Sequence, residues 1–242
     1  MQKTLKKYFP VFLLPTVIAF CIAFIIPFVT GLYLSFCDFT TVSNAKFVGF
    51  TNYIKAFSSS QRFGQAFGFT TLFTIISIIT VNIIAFTLAY LLTRKIKGTN
   101  FSRTVFFMPN LIGGIVLGYT WQSMINAVLA KYGTTLVADA KYGFIGLIIL
   151  MNWQMIGYMM IIYIAGLQNV PTELIEASKI DGATKWQTLR HVTIPMVMPS
   201  ITICLFLTLS NSFKLYDQNL ALTAGAPMHK TEMLALNIVN SF

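Results

Sequence analysis

Neutral polar side chains lie inside long apolar runs of this 242-residue chain, among them Asn82, Asn110, Gln122, Asn126, Asn152, Gln154, Asn211 and Ser212. Amides and hydroxyls so placed can exchange hydrogen bonds with a neutral, hydroxyl-rich solute. They can equally hold helices together, at roughly 0.5 to 2 kcal/mol each. All seven acids (Asp38, Asp139, Glu173, Glu176, Asp181, Asp217 and Glu232) fall outside the cores of the apolar runs, which argues against an ion-coupled carrier built on intramembrane carboxylates. The sequence carries no GxxxxGK(S/T) phosphate loop, no GxSxG elbow and no HExxH pair. His191 and His229 are far apart, and Cys21, Cys37 and Cys204 have no CxxC spacing, so neither a metal set nor a disulfide framework is expected. No catalytic, cofactor-binding or metal residue is assigned, and any ATP hydrolysis has to come from another subunit.

The elements that must position these amides follow from composition. The chain is 56% apolar and only 10% charged, where an ordinary soluble domain has roughly 45 to 50% and about 25%. Five apolar runs are long enough to cross hydrocarbon as helices, with cores near 11–36, 68–92, 104–127, 143–167 and 196–215. The expected fold is all-α, a single polytopic membrane domain over 1–242. Pro15, Pro27, Pro109 and Pro199 predict kinks rather than breaks. The first run is too long for a cleaved signal and has no Ala-x-Ala-like site, so it reads as a retained span.

The 17 Lys and Arg against 7 Asp and Glu leave +10, but the cations lie between the spans and form no single patch. With the N-terminus cytoplasmic, the inner loops hold ten of them in fewer residues than the outer loops use for six. The excess is therefore read as a topology signal and as attraction to anionic membrane lipid, not as nucleic-acid binding.

The longest inner connection, 168–195, is patterned rather than loop-like. Pro171 with Glu173 and Glu176 suits the start of a short helix, on which Leu174, Ile175, Ala177 and Ile180 give an apolar face. Asp181-Gly182 can then reverse the chain, and Thr184 with Gln187 forms a capping-box pattern for a second helix. Such a pair could transmit force from a cytoplasmic partner or lie in the headgroup interface.

Glu176-Ala177-Ser178, Asp181-Gly182-Ala183 and Ile194-Pro195 resemble the EAA motif of ABC importer permeases, with Ser178 and Ile194 as small departures. Phe47-Val-Gly-Phe-Thr-Asn-Tyr53, Phe106-Phe-Met-Pro-Asn110 and Ala221-Leu-Thr-Ala-Gly-Ala-Pro227 extend the resemblance over nearly the whole chain, to the type I permeases of maltose and multiple-sugar importers. The resemblance implies a membrane subunit of the bacterial cytoplasmic membrane that imports a carbohydrate, an oligosaccharide by preference. Its implied partners are a second permease subunit, an ABC ATPase dimer that binds the ATP and Mg, and an extracytoplasmic sugar-binding protein. It also implies that Glu176, Ala177, Ile180, Asp181, Gly182 and Ala183 contact the ATPase, and that Gln154, Met155, Tyr158, Asn211 and Ser212 lie on the substrate path. A glycerol-phosphate permease shares this architecture, and an ion-coupled carrier is the reading from another class. The family has a sixth helix; here the run from Met233 onward reads as its threshold, leaving open a truncated chain or a natural short form.

Overall fold

Hydrocarbon offers the backbone no hydrogen-bond partner but itself, so long apolar runs become helices. The computed structural model describes residues 2–58, 61–94 and 98–241, with side chains from Phe9 onward. Lys95 and Lys97, and the side chains of Lys3, Lys6 and Lys7, which count towards the orientation, lie outside the described residues. The described residues fall into two compact units, Met1–Arg62 and Phe63–Phe242.

In the first unit, α1 (Gln2–Phe20) runs through a π turn (Cys21–Ile25) into α2 (Ile26–Leu34). The π turn ends just before Pro27, which sits in the first turn of α2 where its missing N–H is tolerated. This helix is apolar all round and buries nothing in its own unit, with Phe12 80% exposed, the pattern of a helix meant for lipid or a partner. A short antiparallel ribbon follows, β1 (Cys37–Asp38) on β2 (Lys46–Phe47), with Cys37 opposite Phe47. Asn44 Oδ1 accepts from the Thr40 and Thr41 N–H groups to close its turn. Then comes α3 (Thr51–Ala56), from which Asn52 donates to the Ser35 and Cys37 carbonyls at 3.1 and 2.8 Å.

The second unit is built on α4 (Phe63–Leu92), α5 (Thr99–Phe107), α6 (Gly114–Leu129), α7 (Ala140–Gln168), α8 (Thr172–Ile180), α9 (Lys185–Thr188), α10 (Ile194–Phe213), α11 (Asp217–Leu222) and α12 (Leu234–Asn240). Its core lies where α4, α7 and α10 meet, around Phe73, Val81, Leu150, Met159, Tyr163 and Cys204. Two of the intramembrane amides are glue for this core. Tyr163 donates its hydroxyl to Asn82 Oδ1 at 2.7 Å, and Asn82 Nδ2 donates to the Ile78 carbonyl and to Thr208 Oγ1, tying all three helices. Asn152 likewise donates to Thr80 Oγ1 across α7 and α4 at 3.0 Å. Tyr163→Phe leaves Asn82 Oδ1 without this donor in the core; the expected loss is about 1 kcal/mol, read as a lower melting temperature in detergent. An unchanged melt would show that the network contributes nothing.

The third apolar run departs from expectation. In place of a straight span over 104–127, the pieces Thr99–Leu111 and Gly114–Tyr132 meet at 101°. Pro109 sits in a 3-10 turn, Ile112 and Gly113 are extended, and Gly114 packs so closely on Asp217 and Gln218 that a Cβ there would collide with them. The proline marks a break here, not a kink. Among the described residues, four helices are long and apolar enough to cross a membrane, five if the bent pair is one span. Trp121 and Trp153 pack edge to face with ring centroids 5.4 Å apart, joining α6 to α7.

Candidate functional site

A cavity of about 290 Å³ opens between the break at Pro109, the middle of α7 and the turn joining α10 to α11. The bend delivers Asn110, and α7 delivers Met151, Gln154 and Met155 from one face, since residues three and four apart share a helix side. The end of α10 supplies Asn211, and the turn beyond it Lys214, Leu215, Tyr216, Asp217 and Gln218. Gln218 Nε2 donates to Gln154 Oε1 at 2.7 Å, and Gln154 Nε2 reaches the Ile112 carbonyl at 3.4 Å. One amide thus connects α7, the break at Ile112 and the start of α11. The wall combines amides and the charged Lys214 and Asp217 with Met and Tyr surfaces, which suits a polar solute with apolar faces.

Of the substrate-path residues expected from sequence, Gln154, Met155 and Asn211 come together in this wall. Tyr158 and Ser212 do not. Tyr158 packs against the core, and Ser212 is fully buried with its hydroxyl unpartnered among the described residues. Sequence reasoning missed Lys214, Asp217 and Gln218. The run Tyr216-Asp-Gln-Asn-Leu220 was visible, but only the fold turns it back onto α7. Gln122 and Asn126 are structural: Gln122 donates to the Leu222 carbonyl, and Asn126 accepts from the Leu136 N–H.

At the other end of α7 and α10, the connecting loop is a tightly closed helix pair. Glu173 in the first turn of α8 and Lys179 in the last complement the helix dipole. Gly182, at φ +79°, ends α8: its N–H donates to the Lys179 carbonyl at 3.1 Å and that of Ala183 to the Ser178 carbonyl at 2.9 Å. This is the Schellman closure, for which a left-handed glycine is best suited. Thr184 and Gln187 then cap α9 reciprocally. Ser178 and Thr188, both buried, share a hydroxyl contact of 3.0 Å that latches α8 to α9. The serine that departs from the EAA pattern is therefore the latch, with Thr188 ten residues on as its partner.

The apolar residues of α8 do not form the single face expected. Ile175 packs inward on the core, while Ile180 is 86% exposed and points away from it, flanked by exposed Glu176, Ala177, Asp181 and Gly182, with Ala183 half-buried. Separating the two sets around the helix leaves an outward surface that is small, apolar at its centre and acidic at its edge.

Comparisons with known proteins give the family of the chain. Residues 99–241 match the model of the family described as the binding-protein-dependent transport system inner membrane component. The chain is 44% identical to the probable starch degradation products transport system permease protein of Thermoanaerobacterium thermosulfurigenes, covering 94% of this chain and 80% of that one. It is 32% identical to the multiple sugar-binding transport system permease protein of Streptococcus mutans, covering 99% and 86%. Its fold matches the crystal structure of a bacterial ABC transporter involved in the import of the acidic polysaccharide alginate, with a TM-score of 0.80 at 22% identity over 99% of this chain and 86% of that one. The long apolar helices, the closed loop pair and these matches together establish that the chain belongs to the family of binding-protein-dependent transport system inner membrane components.

Proposed function

We propose that the chain is one permease subunit of an ATP-driven importer and that it passes an oligosaccharide through the cavity at Gln154. The observation that carries this reading is the cavity wall itself, where Asn110, Gln154, Asn211 and Gln218 line one space together with Lys214 and Asp217. An amide-rich site can replace the water hydrogen bonds of a sugar without burying charge. Relatives named for starch degradation products and multiple sugars support the same class of cargo.

In this reading the N-terminus is cytoplasmic and the outward face of α8 docks on an ABC ATPase. ATP and Mg bind to that partner and no cofactor to this chain. A second permease subunit completes the path, and an extracytoplasmic binding protein delivers the sugar; the crystal structure of an alginate transporter in complex with a pentasaccharide-bound periplasmic protein is the analogue.

The test is uptake of a panel of labelled oligosaccharides by the assembled transporter, with Gln154→Leu as the variant. The leucine removes both amide contacts and leaves Gln218 unpaired. At least one neutral oligosaccharide is expected to be taken up, with its half-saturating concentration raised about tenfold in the variant, as for the loss of one or two hydrogen bonds. Uptake with unchanged kinetics would remove Gln154 from the path.

A further inference from the structure

Away from the sugar cavity, the second unit carries an apolar groove of about 460 Å³ between α4 and α10. Ile83, Phe86 and Thr87 form one wall, Ile194 and Ile201 the other, and Tyr90 closes one end. Tyr90 also lines a second cavity, of about 400 Å³, whose walls carry Arg94, Lys179 and Lys185. Tyr90 is therefore a wall common to both spaces. One is lined by hydrocarbon and the other by three cations. Arg94 lies over the Tyr90 ring at 4.9 Å, which fixes the guanidinium at their junction.

No carboxylate neutralises this cluster. The acids of α8 and its cap, Glu173, Glu176 and Asp181, are not in the cavity wall, and the one ion pair among the described residues is His229 with Glu232. The groove, for its part, has no free amide to offer a sugar, because the Asn82 side chain on its floor is already engaged by Ile78, Thr208 and Tyr163. From Ile83 to Tyr90 it extends about 10 Å along α4, within the depth of one leaflet. Trp186 stands exposed at its rim beside Lys185, the residue type that marks the boundary between hydrocarbon and headgroups.

We propose that groove and cavity together bind one anionic phospholipid, its acyl chain between α4 and α10 and its headgroup phosphate against Arg94, Lys179 and Lys185. Charge complementarity decides the occupant. A zwitterionic lipid would bring a quaternary ammonium to the three cations along with its phosphate, an apolar helix would fill the groove and leave the cations unpaired, and a free phosphate would pair the cations and leave the groove empty. Because Lys179 belongs to α8, the bound headgroup also braces the loop helix against the end of α4. This holds whichever solute passes through the Gln154 cavity.

The test uses the purified full chain in a neutral detergent, titrated with brominated-chain phosphatidylglycerol or with phosphatidylcholine of the same chains. Bromine quenches nearby tryptophan, and the difference between the wild type and Trp186→Phe isolates Trp186. Phosphatidylglycerol is expected to quench Trp186 at lower concentration than phosphatidylcholine. Arg94→Gln/Lys179→Gln/Lys185→Gln is expected to weaken the phosphatidylglycerol response at least about tenfold and leave the phosphatidylcholine response unchanged. Equal response to both lipids in the wild type would overturn the headgroup site. Absence of any Trp186 quenching would show that something other than lipid occupies the groove. Displacement of phosphatidylglycerol by inorganic phosphate, but not by sodium chloride of equal ionic strength, would assign the cations to a free anion instead.

Discussion

Glu176→Ala combined with Gly182→Val is expected to abolish ATP-driven uptake while the chain still inserts in the membrane. Both residues are exposed on the outward surface of α8, so neither substitution removes a packing contact from the unit. Gly182 has nothing within 4 Å of the position a Cβ would take, but its φ of +79° is one that a β-branched residue adopts only under strain. The valine therefore acts through the backbone. It opens the Schellman closure, releases the Lys179 and Ser178 carbonyls, and turns Ile180 away from the ATPase surface it is proposed to contact. Loss of the Glu176 carboxylate removes a charge from the edge of the same contact. For residues at the centre of a small interface a loss of about 2 kcal/mol or more is ordinary, enough to reduce transport about thirtyfold, and together they should leave none. Gly182→Asn separates conformation from contact, because asparagine tolerates the left-handed region; it should retain most of the uptake. Full uptake in the double variant would remove α8 from the coupling path.

Gly157→Ala is expected to have the largest effect on folding of any single methyl group added to the chain. A Cβ at Gly157 would overlap the backbone carbonyl of Phe106, and a carbonyl held in a helix cannot swing aside as a side-chain end can. The close approach of α5 to α7 depends on this glycine, and with it the placement of Pro109 and Asn110 beside Gln154. Either α5 retreats and the cavity loses one wall, or the pair remains overpacked at a cost of about 3 kcal/mol. Much lower yield of folded protein in detergent is expected, with reduced uptake by whatever remains. Gly68→Ala is the matched control. It too adds a methyl inside a long helix, but with nothing within 4 Å, and should leave stability unchanged or slightly higher. Equal behaviour of the two variants would contradict the close contact.

The contrast between these glycines shows what could be read from the sequence. Long apolar runs announced their helices because hydrocarbon length sets helix length, and the turn at Asp181-Gly182 and the cap at Thr184 and Gln187 were legible because their chemistry is local. The 101° bend was not. A run of apolar residues looks the same whether it crosses straight or folds back, and the local signals, Pro109 and the Gly113-Gly114 pair, acquire meaning only when Asp217 and Gln218 are found packed on Gly114. The same holds for the cavity. Gln154 and Asn211 could be selected as polar residues within spans, whereas Lys214, Asp217 and Gln218 lie after a span end and face inward only because α11 doubles back onto α6, where Gly118 meets Ala221. Tyr158 shows the converse. The resemblance puts it on the substrate path, but its ring packs on the core.

The most direct measurement of the central claim is sugar uptake into sealed vesicles holding this chain with its permease, ATPase and binding-protein partners, compared with vesicles from which the ATPase alone is omitted. Uptake that requires both the ATPase and ATP is the expected result. Equal uptake without the ATPase would contradict a coupled permease and make the chain a stand-alone carrier.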